Sequence, residues 1–198
     1  MRPAQAPSSE ILDALFSVFR DHGFEGASLS DLSRATGLGR SSLYHYFPEG
    51  KEQMAKAVLE RARSIIDNDV RAIATGAGTL KTRVRKIITT LDQIYASGHS
   101  GCLLGRLATS PIGAPARLDL QLAFASWIEA IETLARESGQ AASDARAFAE
   151  DWVARLQGAL LLQAANGDVG PYNRAMDALQ DLARDASSAG KKAPSAAR

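Results

Sequence analysis

The chain has 198 residues, one cysteine and a formal net charge of +1, because 23 lysines and arginines face 22 aspartates and glutamates. A lone cysteine excludes a disulfide within the chain and is typical of a reducing cytoplasm, the location that we expect. No apolar run approaches the roughly 20 residues that span a bilayer, so we expect no membrane segment, and the near-neutral charge lacks the basic excess of many nucleic-acid binders.

The first predicted helix, from about residue 10 to residue 22, has one apolar face. Ile11, Leu15 and Phe19 recur at helical spacing, a pattern typical of a helix that packs against its neighbours. We therefore interpret this helix as scaffold for the segment that follows.

Residues 28–51 predict two short helices joined by a tight turn, followed by the start of a third. Ser28 is suited to cap the first of these helices and Gly37 to end it, because glycine tolerates positive φ. Leu43 belongs to the inward face of the second helix. The outward side chains of that helix carry hydrogen-bond donors, namely Arg40, Ser41, Ser42, Tyr44 and His45. The pattern predicts a helix-turn-helix whose second helix is suited to a DNA groove.

A set of short motifs runs through this region in order: His22-Gly23-Phe24, Leu32-Ser33, Thr36-Gly37-Leu38, Leu43-Tyr44, Tyr46-Phe47 and Lys51-Glu52. With these motifs, residues 10–60 closely resemble the DNA-binding domain of TetR-family transcriptional regulators. Ser33 departs from the family's usual alanine, and we expect its hydroxyl to bond to a carbonyl one turn earlier. Gly39 replaces the usual serine or threonine cap. The longer linker over residues 47–51 and the turn over residues 101–103 are similar to the LmrA/YxaF-like branch.

The resemblance implies a nine-helix protomer that dimerises through its last two long helices and holds an effector cavity among the middle ones. It also implies a repressor that binds a palindromic DNA operator as a homodimer and is released by a small apolar effector. Repression and activation are both open at this point. The alternatives are a cysteine-based redox regulator on the same scaffold, and a ligand-binding protein or an enzyme adapted from it.

Arg40 is the predicted base-reading residue, because a guanidinium can bridge guanine O6 and N7. Lys51, at a helix N-terminus, is the predicted phosphate anchor, and Ser28 can cap its helix and touch a phosphate at once. The alternative is that these are ordinary polar side chains on the surface of a helix pair. The full set of predicted DNA contacts is Ser28, Arg40, Ser41, Ser42, Tyr44, His45 and Lys51.

Beyond residue 51 the pattern predicts helices only. They are expected at about residues 51–75, 80–97, 102–109, 116–138, 144–165 and 171–186. The predicted fold class is therefore all-α, with about nine helices. A helix-turn-helix DNA-binding domain is predicted over residues 1–55 and an effector-binding and dimerisation domain over residues 56–186. Residues 187–198, rich in serine, alanine, glycine and lysine, are predicted to form a disordered tail.

Aromatic and aliphatic side chains of the middle helices are candidates for an effector pocket, since apolar ligands bind in cavities with such a lining. At helical spacing these residues are also compatible with ordinary core packing. No cofactor is expected. The candidates are Tyr95, Leu103, Leu107, Phe124, Trp127, Phe148 and Trp152.

Cys102 begins a predicted helix near His99 and Arg106, an arrangement that can activate a thiolate. A structural role is the preferred interpretation, because the chain has no second cysteine to form a disulfide with it. The sequence lacks a Gly-x-Ser-x-Gly elbow, a glycine-rich phosphate loop and a metal-ligand cluster. We therefore expect neither an enzyme nor a metal site.

Overall fold

Nine helices and no strand make up the regular structure of residues 7–189, the part of the chain that the computed structural model describes. The predicted all-α fold is thereby confirmed. Within these residues no helix is both long and apolar enough to cross a bilayer. The helices are α1 (Ser9–Gly26), α2 (Leu29–Thr36), α3 (Arg40–Tyr46), α4 (Lys51–Ile65, continued by a π-helix over Ile66–Arg71 and an α-helical turn over Ala72–Thr75), α5 (Leu80–Ile94), α6 (Leu103–Ala108), α7 (Ala114–Glu137), α8 (Ala142–Asn166) and α9 (Gly170–Ala189).

Hydroxyl side chains cap the N-termini of α1, α2 and α5. The caps are Ser8, Ser28 and Thr79, and each accepts the backbone N–H three residues further on, at 3.4, 3.1 and 3.2 Å. Each cap satisfies one of the donors that a helix N-terminus leaves without a partner, and its removal costs roughly 1 kcal/mol. The predicted cap of α2 is confirmed, as is the predicted end of α2 at Gly37, whose φ is 67°.

The chain divides into two compact units. The N-terminal unit contains the residues up to Ile66 together with Gly101–Ala125, and the C-terminal unit contains Asp67–Ser100 together with the residues from Ser126 onward. The first unit therefore holds α6 and the first half of α7 in addition to the predicted helix-turn-helix. The predicted boundary between a DNA-binding domain ending at residue 55 and an effector-binding domain beginning at residue 56 is a division by function, and it stays a prediction.

The N-terminal unit packs α2, α4 and α6 against α1. Side chains from each of the first four helices meet in its core, where Leu15, Phe19, Leu32, Leu43 and Met54 are fully buried. Truncating a buried leucine of this kind to alanine costs about 2–5 kcal/mol. The apolar face predicted for the first helix thus serves packing, and it supports the position of α2 and α3.

The C-terminal unit is built on α8 and α9, and α5 packs against α9. The indole Nε1 of Trp152 donates to the Ala175 carbonyl at 2.7 Å and so links α8 to α9. The Tyr172 hydroxyl donates to Asp92 Oδ1 at 3.0 Å and links α9 to α5. Burial, with the Asp92 carboxylate beside it, raises the pKa of Tyr172 well above its ordinary value.

The predicted helix over residues 51–75 is present, but α4 is not a regular α-helix throughout. Over Ile66–Arg71 the backbone hydrogen bonds span five residues instead of four. Ile66 and Val70 are buried in this segment, while Asn68 and Asp69 are exposed. The apolar spacing fits an ordinary helix equally well, so the sequence pattern does not reveal the π-helix.

α5 ends at Ile94, earlier than the predicted residue 97, because the chain turns sharply after it. Ala96 and Ser97 have φ values of 46° and 52°, which side chains other than glycine seldom adopt. Gly98 follows at φ 92°, and a Cβ there would lie 2.8 Å from Cγ of Tyr172. The turn is therefore held closely against the ring that anchors α9 to α5.

The last helix extends to Ala189, which is inside the segment predicted as a disordered tail over residues 187–198. Residues 190–198 of that segment lie outside the described residues.

Candidate nucleic-acid interface and effector site

The first turn of α2 is ordered by Ser28. Its hydroxyl accepts from the Asp31 backbone N–H and donates to the Asp31 carboxylate, and Arg34 Nη1 lies 3.1 Å from the same carboxylate. The Ser28 hydroxyl, helped by the Arg34 charge, lowers the pKa of Asp31 below its ordinary value. Ser28 is exposed, so its position is compatible with the predicted phosphate contact as well as with the observed cap.

The turn between α2 and α3 is closed by side-chain hydroxyls. Thr36 Oγ1 donates to the Leu32 carbonyl at 2.8 Å, and Ser33 donates to the carbonyl of Leu38. The expectation that Ser33 bonds one turn earlier is therefore wrong. The Leu38 carbonyl belongs to the turn, where the regular helical N–H partners are missing, and the serine hydroxyl supplies a donor there.

α3 has one buried side chain, Leu43, and an exposed polar face. The exposed side chains are those predicted to contact DNA from this helix, namely Arg40, Ser41, Ser42, Tyr44 and His45. Arg40 Nη2 donates to Ser30 Oγ at 3.0 Å, so the guanidinium is held against the first turn of α2. The sequence pattern did not indicate this role of Ser30, since the two residues lie on different helices.

The ring of Tyr44 lies beside the N-terminus of α4. A Cβ on Gly50, which precedes α4, would be 3.4 Å from Cε1 of Tyr44 and 3.9 Å from its hydroxyl. A helix N-terminus favours anions because its N–H groups and its dipole both point toward them. The structure therefore brings the Tyr44 hydroxyl close to a position suited to a phosphate, and the sequence pattern does not indicate this role of Gly50.

Lys51 is the first residue of α4, but its ammonium group points to the end of α1. Nζ donates to the Ala27 carbonyl at 3.2 Å and to the Glu25 carbonyl at 3.5 Å, and it lies 4.7 Å from the centre of the Phe24 ring. These contacts give Lys51 a structural role that the sequence pattern did not indicate. Its predicted contact with a phosphate stays a prediction.

The seven candidate effector residues fall into both units. Leu103 and Leu107 are buried on α6 of the N-terminal unit, where Phe124 on α7 is half-buried. Phe148 is half-buried on α8 of the C-terminal unit. The remaining three candidates, Tyr95, Trp127 and Trp152, form one aromatic cluster in that unit.

Rings of the aromatic cluster meet in two geometries. Tyr95 and Trp127 are stacked, with centroids 6.2 Å apart and planes 7° apart. Trp127 and Trp152 meet edge to face, with centroids 6.5 Å apart. All three residues are buried, and such ring pairs add about 0.5–1.5 kcal/mol beyond the area that they bury. The cluster therefore contributes to the packing of the C-terminal unit, and its predicted contact with an effector stays a prediction.

α8 and α9 expose an apolar surface near the end of α8. Leu161 and Leu162 are 71% and 48% exposed, whereas Leu160 and Met176 are buried in the protomer. Beside the exposed leucines, a groove of about 410 Å³ is lined by Arg155, Gly158, Ala159, Leu162, Pro171 and Arg174. Small residues next to leucines allow two helices to approach each other closely.

Cys102 is half-buried and precedes α6. Its side chain makes no cap hydrogen bond to that helix. In the described part of the chain no three His, Cys, Asp or Glu side chains come together as metal ligands. The geometry offers no specific support for the redox alternative.

Two family models match the chain. Residues 11–58 match the model described as bacterial regulatory proteins of the TetR family. Residues 77–178 match the model described as the C-terminal domain of LmrA/YxaF-like transcriptional regulators. The second match includes α5 to α8 and the first part of α9, up to residue 178.

Individual relatives cover most of the chain. The HTH-type transcriptional regulator LmrA of Bacillus subtilis is 24% identical over 87% of this chain and 94% of the relative. The HTH-type transcriptional repressor DhaR of a Mycobacterium species is 27% identical over 73% of this chain and 75% of the relative. The crystal structure of a TetR transcriptional regulator from Legionella pneumophila has a TM-score of 0.79 at 18% identity, and covers 91% of this chain and 98% of its own.

Proposed function

Since this chain belongs to the TetR family of bacterial regulatory proteins and is a transcriptional regulator rather than an enzyme, we propose that it represses transcription from a palindromic operator. In this proposal two protomers bind the operator together, and a small apolar effector releases them. Repression, rather than activation, is supported by the relative named as a repressor, DhaR.

The observation that carries the proposal is the exposed polar face of α3. Arg40 is the base-reading residue, and its bond to Ser30 restrains the guanidinium before DNA is met. Ser41 and Ser42 donate to bases or phosphates, while Tyr44 and His45 contact the sugar-phosphate backbone. Tyr44 acts together with the N-terminus of α4, beside which it lies.

Dimerisation follows from the length of a helix-turn-helix half-site, which is too short to be specific alone. Two such half-sites are read together when their centres lie about 34–36 Å apart, or a multiple of that distance. The exposed surface of α8 and α9 is the proposed interface. Across a two-fold axis Arg155 and Arg174 of one protomer can meet acidic side chains of the other, such as Asp151 and Asp177, which are exposed on the same helices.

The experiment is a selection of DNA from a random pool by the purified protein. We expect one enriched sequence with two-fold symmetry. Arg40→Ala should lose the preference at one base position in each half-site, whereas Arg34→Ala, an exposed arginine on the neighbouring helix, should select the same sequence as the wild type. Enrichment of no symmetric sequence by the wild type would falsify the proposal.

A further inference from the structure

The two tryptophans of the chain differ in one respect. Both indoles are buried, at 1% and 2% exposure for Trp127 and Trp152. Trp152 Nε1 donates to the Ala175 carbonyl, but among the described residues no group accepts a hydrogen bond from Trp127 Nε1. Within the part of the chain that the structure describes, the aromatic cluster therefore contains one indole N–H without a hydrogen-bond partner.

A buried indole N–H without an acceptor is unusual, because tryptophan normally finds a hydrogen-bond partner when it is buried. The packing of the cluster is otherwise well defined, with near-parallel rings of Tyr95 and Trp127 and an edge contact to Trp152. A buried N–H group without an acceptor has lost its hydrogen bonds to water and gained none in return, so leaving it unpaired costs free energy. A bound molecule that brings an acceptor atom to Nε1 relieves this penalty.

We propose that Trp127 Nε1 is the hydrogen-bond donor that recognises the effector, and that the effector is a neutral, planar aromatic molecule with an acceptor atom at its edge. The inference rests on the proposed function, since it assigns the chemistry of the effector. An aromatic effector is expected because aromatic rings pack favourably against one another, either stacked or edge to face. The acceptor is a carbonyl oxygen or a ring nitrogen rather than a carboxylate, because a charge buried among these rings without a counter-charge is strongly disfavoured.

The test uses two probes of the same shape, quinoline and naphthalene, which differ in one ring nitrogen. Protein labelled with ¹⁵N-tryptophan gives two indole N–H signals, one from each tryptophan, and Trp127→Phe assigns them. Quinoline should move the Trp127 indole proton downfield and bind at least about tenfold more tightly than naphthalene, because a buried donor discriminates against a ligand that cannot accept from it.

Two phenylalanine variants separate this donor from general aromatic packing. Trp127→Phe keeps a ring in the cluster and removes the donor, so the two probes should bind it with equal affinity. Trp152→Phe removes a donor that is already bonded to Ala175, so the preference for quinoline should remain. Equal affinities in the wild type, binding of neither probe, or a preference that survives in Trp127→Phe would each overturn the inference.

The result of the quinoline and naphthalene comparison can be distinguished from the result of the operator selection that tests the proposed function. A wild-type protein that selects a symmetric operator but does not prefer quinoline refutes the assignment of Trp127 and leaves the DNA proposal intact. A protein that selects no operator refutes the proposed function, while the comparison of the two probes still decides the role of the indole.

Discussion

One hydrogen bond to Ser30 holds the guanidinium of Arg40 over the first turn of α2. A side chain restrained before binding loses less conformational entropy when it meets its target. The planar, forked guanidinium is also the group best suited to bridge two acceptors of one guanine. We therefore expect Arg40 and Ser30 to act as a pair, in which only Arg40 touches a base.

Replacing Arg40 by alanine should cost roughly 1–3 kcal/mol of operator affinity and relax the preference at one base position. Ser30→Ala should have a smaller effect of the same kind, because it removes the restraint and keeps the reading group. Fluorescence anisotropy with the selected operator, and with operators changed at each position, measures both. An unchanged affinity and base preference in Arg40→Ala would assign base reading to another residue.

Lys51→Ala should affect both stability and DNA binding. The loss of its bond to the Ala27 carbonyl and of its contact with the Phe24 ring should lower the free energy of unfolding by about 1–2 kcal/mol. If the ammonium also meets a phosphate, all DNA sequences should be weakened alike and the salt dependence of binding should flatten. Denaturant unfolding and salt titrations separate the two effects, with Lys86→Ala, an exposed lysine on α5, as control. Unchanged stability would contradict the structural role.

Single residues differ in how far the neighbouring sequence predicts their contacts. The cap at Ser28 and the end of α2 at Gly37 were predictable, because both depend on neighbours within one turn. The bond of Ser33 to Leu38 and the position of the Lys51 ammonium were not predictable. Both depend on how separate helices lie against each other, which a local pattern does not contain.

At the scale of helices, periodicity identifies apolar faces but does not tell which neighbour covers them. α8 illustrates this point. Leu160 on α8 and Met176 on α9 are apolar residues on the two helices expected to form the dimer interface, but both are buried within the protomer. Leu161 and Leu162 remain outside. The π-helix over Ile66–Arg71 was also not predictable from periodicity, because its buried residues recur at a spacing that an α-helix allows as well.

Leu161→Glu should therefore produce monomers, because it places an unpaired charge in the proposed apolar interface. A destabilisation of about 1.4 kcal/mol already raises the dissociation constant of a dimer tenfold, and we expect at least that change. Leu118→Glu is the matched control, a leucine of comparable exposure on α7 in the other unit. Sedimentation velocity over a range of concentrations measures both variants. An intact dimer in Leu161→Glu would place the interface elsewhere.

The link between α5 and α9 should make the protein sensitive to alkaline pH. Burial and Asp92 raise the pKa of Tyr172 above its value of 10.0 in the unfolded chain, so the neutral phenol is favoured in the fold. This contribution to stability is complete below pH 10 and is lost as the pH rises above it. Tyr172→Phe should weaken the alkaline loss and lower stability at neutral pH by about 1 kcal/mol.

Unfolding midpoints in urea between pH 7 and pH 11 measure this effect. Asp92→Asn should retain part of the alkaline loss, because burial is the larger cause of the pKa shift. A Tyr172→Phe protein with the same pH profile as the wild type would show that the phenol does not control alkaline stability.

At the scale of the whole molecule, the all-helical fold and the family were predictable, because the ordered motifs of residues 22–52 are specific and no strand pattern competes with them. The grouping of residues 101–125 with the N-terminal helices was not predictable. It arises from contacts between distant parts of the chain, on which periodicity carries no information. For the same reason the sequence pattern does not show that the candidate effector residues belong to two units.

Operator and effector should oppose each other to the same extent in both directions. A coupling of about 1–3 kcal/mol, or a 5- to 150-fold change in affinity, is typical of allosteric proteins, and thermodynamic linkage makes it reciprocal. A compound that releases the operator should therefore bind the protein–operator complex more weakly than the free protein by the same factor. Calorimetric titration into both forms measures this factor. Equal affinity in the two titrations would exclude a coupled mechanism.

The π-helix of α4 also bears on how the chain is compared with its relatives. A π-helical turn closes its hydrogen-bonded ring over one more residue than an α-helical turn, so the segment is equivalent to a regular helix with one residue inserted. In a correct sequence alignment, a relative without that residue has a gap opposite Ile66–Arg71. If the two sequences are aligned without the gap, every later residue is matched to the wrong neighbour by one position. On a helix that error is a rotation of about 100°, which exchanges inward and outward residues.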